Sequence, residues 1–542
     1  MKADVILKSR AVFDAVRREP CEGFVAVAGN KIAAVGNDQN VMNRLTGRKT
    51  EIIDCGNRLI IPGLIDAHMH FFNGIFQNSP YMCRELFDCK SAKECVQTVD
   101  RFAKQHPDYK RISAIGWYIP DWEDKTYPHK RMLDAIEPER PVYLMCADGH
   151  SFWLNSKALE ECGVDPDKQL LCGTIETDSD GEVNGLLHEM DACSICAAKA
   201  QELPQQEARQ MILNFVCELS KKGITAVTDM AIQLEPTPIP GELMTLSELE
   251  NEGSLHVRLA LYPSLGITDD FSIAREYRNR FCSDKLYVGG LKSFVDGVHG
   301  NYTALLLEPY ADDPNRQGKS CFPYEIYEKQ VAAANKEGFG VKLHCTGEGA
   351  SELALDAFEM SRKANGNIDV RNSIEHAETL RYPQFERFRR LNVTATMQPS
   401  HLMAVGNGLK RKVGEQRAQY EYALKTMLSH DVNVAFSSDY PVAPFDPLLS
   451  IYFAVTRCDK QGNPIDEINQ NITLEQALKA YTYGSAYCIH AEDKLGTLEP
   501  GKLADIVVFN QNLFELEPKE WLNAKIDLTM MDGEIVYKSE EF

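Results

Sequence analysis

The stretch Leu59-Ile-Ile-Pro-Gly-Leu-Ile-Asp-Ala-His-Met-His70 decides how the rest of the chain is interpreted. Its apolar residues predict a short strand that is buried on both faces and ends at His68 and His70. Side chains two positions apart on a strand point the same way, so both imidazoles can face one point at the strand's end. Two neutral imidazoles that converge there make half of a metal site.

Further apolar runs with strand character follow, and helical patterns separate most of them. These runs begin at Gly223, His256, Val288, Gly340, Asn372, Asn392 and Val432. Together with the first run they predict eight strand–helix units, which favour an α/β fold of the (β/α)₈ or TIM-barrel type. An open doubly wound sheet is the alternative, but it would not bring five strand ends to one point.

The remaining segments predict an insertion and a second, smaller domain. Residues from about 75 to 205 are expected to form a long insertion after the first strand, within a barrel domain that spans residues 63–484. Short β-type runs fill residues 1–62 and recur in 485–542, with a hairpin turn at Gly29-Asn30. Both termini are therefore expected to build one small β-sandwich.

Composition and charge exclude several classes of protein. The chain is 44% hydrophobic and 25% charged, as in soluble globular proteins, and its net charge of -21 argues against binding to nucleic acid or an anionic membrane. No apolar run is long enough to span a bilayer, and the first residues lack a signal peptide, so a cytoplasmic location is expected. The 16 cysteines are then expected as thiols, and Cys193 and Cys196 lack the second pair of a zinc site.

Polar residues recur at the ends of the predicted strands, where barrel active sites lie. They are His68, His70, Lys292, His344, His376 and Asp439. Each alone has a structural explanation, but repetition at five strand ends favours a common site. Four imidazoles, a carboxylate and a lysine suit one or two divalent ions such as Zn²⁺, provided that CO₂ converts Lys292 to a bridging carbamate. Two ions roughly 3.5–4 Å apart would share a water and lower its pKa to about 7.

Several motifs resemble those of one family. They are Pro62-Gly-Leu-Ile-Asp-Ala-His-Met-His, Asp148-Gly-His-Ser-Phe-Trp-Leu-Asn, Leu291-Lys-Ser-Phe-Val-Asp-Gly, His344-Cys-Thr-Gly-Glu, Ile374-Glu-His-Ala, Met397-Gln-Pro-Ser-His and Ser438-Asp-Tyr-Pro-Val. The sequence resembles the amidohydrolase superfamily, and within it the YtcJ-like metal-dependent amidohydrolases (amidohydrolase family 3). The resemblance covers nearly the whole chain.

The resemblance implies a ligand set and a reaction. His68, His70 and Asp439 would hold one metal, His344 and His376 the second, and carboxylated Lys292 would bridge them. A metal-bound hydroxide would attack an amide-type C–N bond outside peptides, in some members that of an N-substituted formamide, while Asp439 carries the proton to the leaving nitrogen. An ester, lactone or cyclic imide is the alternative substrate. Relatives that act as scaffolds have lost metal ligands, whereas all six are present here.

Two departures from the family bear on the small-molecule substrate. Glu348 replaces an aspartate, and His299 and Tyr302 stand where relatives commonly carry small residues. The candidates for substrate contacts are His150, Trp153, Asn155, Glu189, His299, Gln398, His401 and Arg457. The tryptophans of the insertion form either a lid or the insertion's own core, and Arg457 binds either a substrate carboxylate or a structural acid. A homodimer is expected by analogy with other barrels.

Overall fold

The chain divides into two compact units in a computed structural model that describes residues 2–123, 125–170, 173–200, 205–230, 241–268 and 270–542. One unit combines Met1–Phe71 with Ile212–Phe542, and the other is Phe72–Met211. The second unit coincides closely with the predicted insertion. No helix in the described ranges is both long and apolar enough to cross a bilayer.

All eight predicted parallel strands are present in the first unit. They are β1 (Leu64–Met69), β2 (Ile224–Met230), β3 (Arg258–Tyr262), β4 (Gly290–Phe294), β5 (Gly340–Cys345), β6 (Ser373–His376), β7 (Thr394–Met397) and β8 (Val434–Phe436). Strands β1 to β3 pair in sequence order with a short strand, Leu286–Val288, beyond β3, and β4 to β8 pair in order in a second parallel sheet. Nearly every residue of these strands is buried, which explains why they are apolar on both faces.

Hydrogen bonds connect the two parallel sheets at both edges. The Asp439 amide donates to the carbonyl of His68 over 2.8 Å, and the His70 amide donates to the carbonyl of Tyr440 over 2.9 Å. At the other edge, the Lys292 amide donates to the carbonyl of Pro263 over 2.8 Å. The carboxyl ends of β1 and β8 are therefore neighbours.

Helices alternate with the parallel strands as the sequence predicts. They span Gln205–Lys221, Gly241–Asn251, Ser272–Arg280, Tyr324–Lys336, Glu348–Asn365, Tyr382–Leu391, Leu402–Val413, Glu415–Ala418, Leu424–Ser429, Pro447–Thr456, Leu474–Lys479 and Ser485–Cys488. In Glu348–Asn365 the buried residues include Ala350, Ala354, Ala357 and Phe358, the spacing of one helix face.

Both termini contribute to one hydrogen-bonded sheet of eight strands. Its strands are Val5–Val12, Cys21–Ala28, Lys31–Gly36, Glu51–Asp54, Leu59–Pro62, Ile506–Phe509, Ile526–Met531 and Glu534–Lys538. The predicted hairpin at Gly29-Asn30 is confirmed, because Ala28 pairs with Lys31 and Gly29 has a φ of 58°. Leu59–Pro62 pairs with Ile506–Phe509, which joins the two ends of the chain.

A buried ion-pair cluster links β3 to this terminal sheet. The guanidinium of Arg258, which is 1% exposed, donates to both oxygens of Asp505 over 2.8 Å and to Asp532 over 3.0 Å. Replacement of Arg258 by Met should lower the unfolding free energy by about 3–5 kcal/mol, because it leaves the buried carboxylate of Asp505 without its cation. Urea unfolding checks this. Lys8→Met, which removes the exposed Lys8–Asp54 pair, should change the midpoint little, and equal effects of the two variants would contradict the expectation.

The second unit, Phe72–Met211, has its own mixed sheet and core. The strands, in spatial order, are Thr174–Thr177, Val183–His188, Ser151–Leu154, Val142–Cys146, Ile112–Trp117 and Met82–Cys83. Its helices include Ala92–Gln105, Lys130–Asp134, Ser156–Cys162 and Glu189–Ala200. Trp117, Trp122 and Trp153 are at most 2% exposed and lie in one hydrophobic cluster of this unit. The tryptophans thus form the unit's own core.

Candidate metal centre

The end of β1 and the segment after β8 bring three predicted ligands together. The Nε2 atoms of His68 and His70 each lie 3.3 Å from Oδ1 of Asp439. Asp439 reaches this position with a φ of 56°, a left-handed conformation that is uncommon for residues other than glycine. The three side chains offer ligand atoms within 4.8 Å of one another.

A second group shares Asp439 and joins it to His376 and His401, again with ligand atoms within 4.8 Å. His376 ends β6 with a φ of 75°, and its Nδ1 lies 2.9 Å from Oε1 of Gln398. The other end of the Gln398 amide donates to Oγ of Ser437 over 2.9 Å, which fixes the amide's orientation. Gln398, expected as a substrate contact, thus orients the imidazole of His376. Nε2 of His401 lies 3.9 Å from Oδ2 of Asp439.

His344 and Lys292 lie beside these groups without joining them. The ring centroid of His344 is 4.4 Å from that of His376, but its Nε2 lies 3.0 Å from the carbonyl oxygen of Gly297. The structure thus groups His376 with His401, whereas the family pattern pairs it with His344. Lys292 is 1% exposed, its Nζ lies 3.6 Å from the ring centroid of Phe294, and burial lowers its pKa to about 8.

Sequence reasoning missed two charged residues that support His68. Oε2 of Glu375 accepts from Nδ1 of His68 at 2.5 Å, and its Oε1 lies 3.3 Å from Nζ of Lys342 and also accepts from Ser373. Glu375 and Lys342 are both fully buried. With Nδ1 donating to Glu375, the lone pair of His68 is on Nε2 and faces Asp439. One signal was available: Lys342 precedes His344 by two residues and so shares its face of β5.

The charges in the centre suit a divalent metal. Burial and the neighbouring His344 hold the pKa of His376 well below its usual value, and burial lowers the pKa of His70. Burial favours a raised pKa for Asp439, but the imidazoles of His68 and His70 outweigh it and hold that pKa well below its ordinary value. Oδ1 of Asp439 and Nε2 of His401 are buried without a hydrogen-bond partner in the described ranges. The neutral imidazoles of His70 and His376 beside an ionised, unsatisfied carboxylate are ligands that zinc and similar ions prefer.

Three residues expected at the substrate are occupied elsewhere. The amide of Asn155 accepts from the backbone N–H groups of Val142 and Ala158 and donates to two carbonyls, so it caps the helix Ser156–Cys162. Trp153 is enclosed in the core of the second unit. Arg457 pairs with the structural acid Asp466 at 2.5 Å. Because their polar or apolar surfaces are taken up by the protein itself, we leave these three out of the proposed site.

The other expected substrate contacts differ in their surroundings. His150 and Glu189 form a pair in the second unit, with Nδ1 of His150 2.8 Å from Oε2 of Glu189. His299 lies in the first unit, is 2% exposed, and has its Nε2 3.3 Å from the carbonyl oxygen of Thr346. Sequence reasoning placed His401 at the substrate, whereas the structure also places it in a group of candidate metal ligands with His376 and Asp439.

Comparison with known proteins gives consistent matches along the whole chain. The model of the amidohydrolase family matches residues 51–537. Protein LONG AFTER FAR-RED 3 of Arabidopsis thaliana is 29% identical, over 99% of this chain and 92% of its own length. An N-substituted formamide deformylase of Arthrobacter pascens is 24% identical, over 96% of each chain. The crystal structure of an uncharacterised metal-dependent hydrolase from Pyrococcus horikoshii superposes with a TM-score of 0.76 at 25% identity, over 95% of this chain and 99% of that one.

Proposed function

The chain belongs to the amidohydrolase family of metal-dependent hydrolases, and from that premise we propose that it cleaves a non-peptide amide-type C–N bond of a small molecule. One observation carries this proposal: two sets of histidines, His68 with His70 and His376 with His401, share the carboxylate of Asp439, and Oδ1 of that carboxylate has no hydrogen-bond partner in the described ranges. The formamide deformylase among its relatives supports an amide, and in particular an N-formyl amine, as the substrate.

We assign the metal ligands from the two groups. His68, His70 and Asp439 would hold one ion, and His376 would hold a second together with His344 or His401. A divalent metal held there, with zinc the best match to these ligands, would lower the pKa of a bound water and polarise the substrate carbonyl. We also infer that β1 to β8 close into one (β/α)₈ barrel, because hydrogen bonds connect the two parallel sheets at both edges. Such a barrel would gather these ligands at the carboxyl ends of its strands.

Asp439 is the proposed proton carrier. Its Oδ1 faces the two imidazoles of β1, whereas its Oδ2 faces His401, so the two oxygens have different neighbours. We infer that Oδ2 takes the proton from the attacking water and delivers it to the leaving nitrogen. Glu375 keeps His68 oriented throughout, because its carboxylate holds the proton of Nδ1.

Lys292 is the proposed site of a carbamate. Only the neutral amine reacts with CO₂, and burial lowers the pKa of Lys292 to about 8, so its neutral fraction rises as the pH rises through that value. We expect isotope-labelled bicarbonate to give a protein-bound carbamate signal in the NMR spectrum, stronger above pH 8 than one unit below. Lys292→Arg should lack the signal at any pH. A signal that persists in Lys292→Arg would assign the carbamate to another residue.

The proposed reaction is tested with a substrate panel. Zinc-loaded protein would be assayed on N-formyl and N-acetyl amines and, in parallel, on esters, lactones and cyclic imides of similar size. Turnover of the amides above the other classes supports the proposal. Turnover confined to the oxygen esters or the cyclic imides would replace it with the alternative.

A further inference from the structure

A third carboxylate lies next to the metal centre, separated from Asp439 by one imidazole. His401 is 9% exposed and stands between the two acids, with Nε2 3.9 Å from Oδ2 of Asp439 and Nδ1 3.9 Å from Oε1 of Glu378. Both gaps exceed hydrogen-bonding distance. His401 thus connects the reacting end of the site to Glu378 without neutralising either carboxylate through a direct hydrogen bond.

Glu378 has no lysine or arginine partner in the described ranges, unlike three other acids whose carboxylates are buried in the first unit. Glu375 pairs with Lys342 at 3.3 Å, Asp466 with Arg457 at 2.5 Å, and Glu348 with Arg417 at 3.6 Å. Glu378 is 7% exposed, and in the described ranges its one ion-pair contact is the distant one to His401. Burying a carboxylate without a cation is energetically unfavourable. We therefore expect a ligand to supply the positive charge beside Glu378.

His299 offers an unsatisfied acceptor close to Glu378. Its Nε2 faces the carbonyl oxygen of Thr346 at 3.3 Å and Oγ1 of Thr379 at 3.4 Å, and Thr379 directly follows Glu378. With Nε2 donating to the carbonyl, the lone pair of the ring is on Nδ1, which is buried and has no partner in the described part of the chain. Both Glu378 and His299 therefore offer acceptors to a ligand rich in hydrogen-bond donors.

We propose that the substrate carries a positively charged amino group, which Glu378 binds while the scissile amide lies at Asp439. The inference rests on the proposed function and narrows it to N-acyl amines with a second, protonated nitrogen. Water then adds across the C–N bond of a monoformylated diamine, giving formate and the free diamine. The net charge of -21 would favour the approach of such cations.

The test compares two probes of nearly equal size. Monoformylated diaminobutane carries an ammonium where N-formylpentylamine carries a methyl group. Calorimetry on the Asp439→Asn variant, in which hydrolysis does not consume the ligand, should show that the cationic probe binds more tightly, by about 10- to 100-fold. Glu378→Gln in the same background should remove that preference while leaving the affinity for N-formylpentylamine unchanged.

Glu421→Gln is the matched control, since it makes the same change at a neighbouring buried acid. Burial raises the pKa of Glu421 to about 8, so it is largely uncharged at neutral pH and its replacement should leave the preference intact. Equal affinity for the two probes, including no measurable binding of either, overturns the inference. Preferential binding of the cation without turnover by the wild-type enzyme supports the inference and counts against amide hydrolysis. Turnover of both probes with equal affinity for the two supports amide hydrolysis and overturns the inference about Glu378.

Discussion

Asp439→Asn is expected to lower kcat by about 100- to 10,000-fold on any amide that the wild-type protein hydrolyses. The amide of asparagine has the shape of the carboxylate but accepts no proton at neutral pH. The proton of the attacking water therefore loses its route to the leaving nitrogen. The backbone N–H of residue 439 still donates to the carbonyl of His68, so the link between β1 and β8 persists. Circular dichroism and steady-state kinetics on zinc-loaded protein measure the two properties.

Asp446→Asn provides the control for this change. Asp446 caps the helix Pro447–Thr456 with its side chain, a task that asparagine performs equally well, so kcat should be unchanged. If Asp439→Asn folds, binds zinc and turns over at the wild-type rate, the proton-transfer role of Asp439 is wrong.

Glu375→Gln is expected to raise the dissociation constant for zinc by about 10- to 100-fold. The glutamine no longer carries the negative charge that would stabilise His68 as a proposed metal ligand, and it leaves the fully buried ammonium of Lys342 without its carboxylate. Loss of the buried pair should also destabilise the fold by about 3–5 kcal/mol. Competition with a coloured chelator measures the affinity, and thermal unfolding of the metal-free protein measures the stability.

Arg258→Met separates these two effects. It breaks a buried ion pair of similar depth that contacts none of the proposed ligands, so it should lower stability without weakening zinc binding. Glu375→Gln could instead keep the wild-type zinc affinity and lose as much stability as Arg258→Met. That result would show that Glu375 has only a structural role.

The sequence was most informative where one pattern determines both the element and the direction of its side chains. The apolar runs ending at His68, His344 and His376 predicted β1, β5 and β6, because strands buried on both faces leave few other positions for polar residues. The location of Asp439 beside His68 followed from the same argument. The family prediction rested on these motifs as well, and it is confirmed.

Other features depend on contacts that no local pattern encodes. The pair of Lys342 and Glu375 forms between two strands, so each residue alone looked like a chance charge in an apolar run. His401 reaches Asp439 through the turn after β7, which the sequence could not orient. Asn155 and Arg457 were expected at the substrate because the sequence does not reveal that neighbouring backbone groups or Asp466 already satisfy their polar atoms.

A metal held around Asp439 is proposed to be required for amide hydrolysis, and zinc titration into metal-free protein measures this requirement. Bound zinc per chain and turnover of an N-formyl amine would be followed together, with bicarbonate present. Turnover should rise in step with bound zinc and saturate at one or two ions per chain, whereas Asp439→Asn should bind zinc without gaining turnover. Turnover that is unchanged by zinc, or protein that binds none, would contradict it.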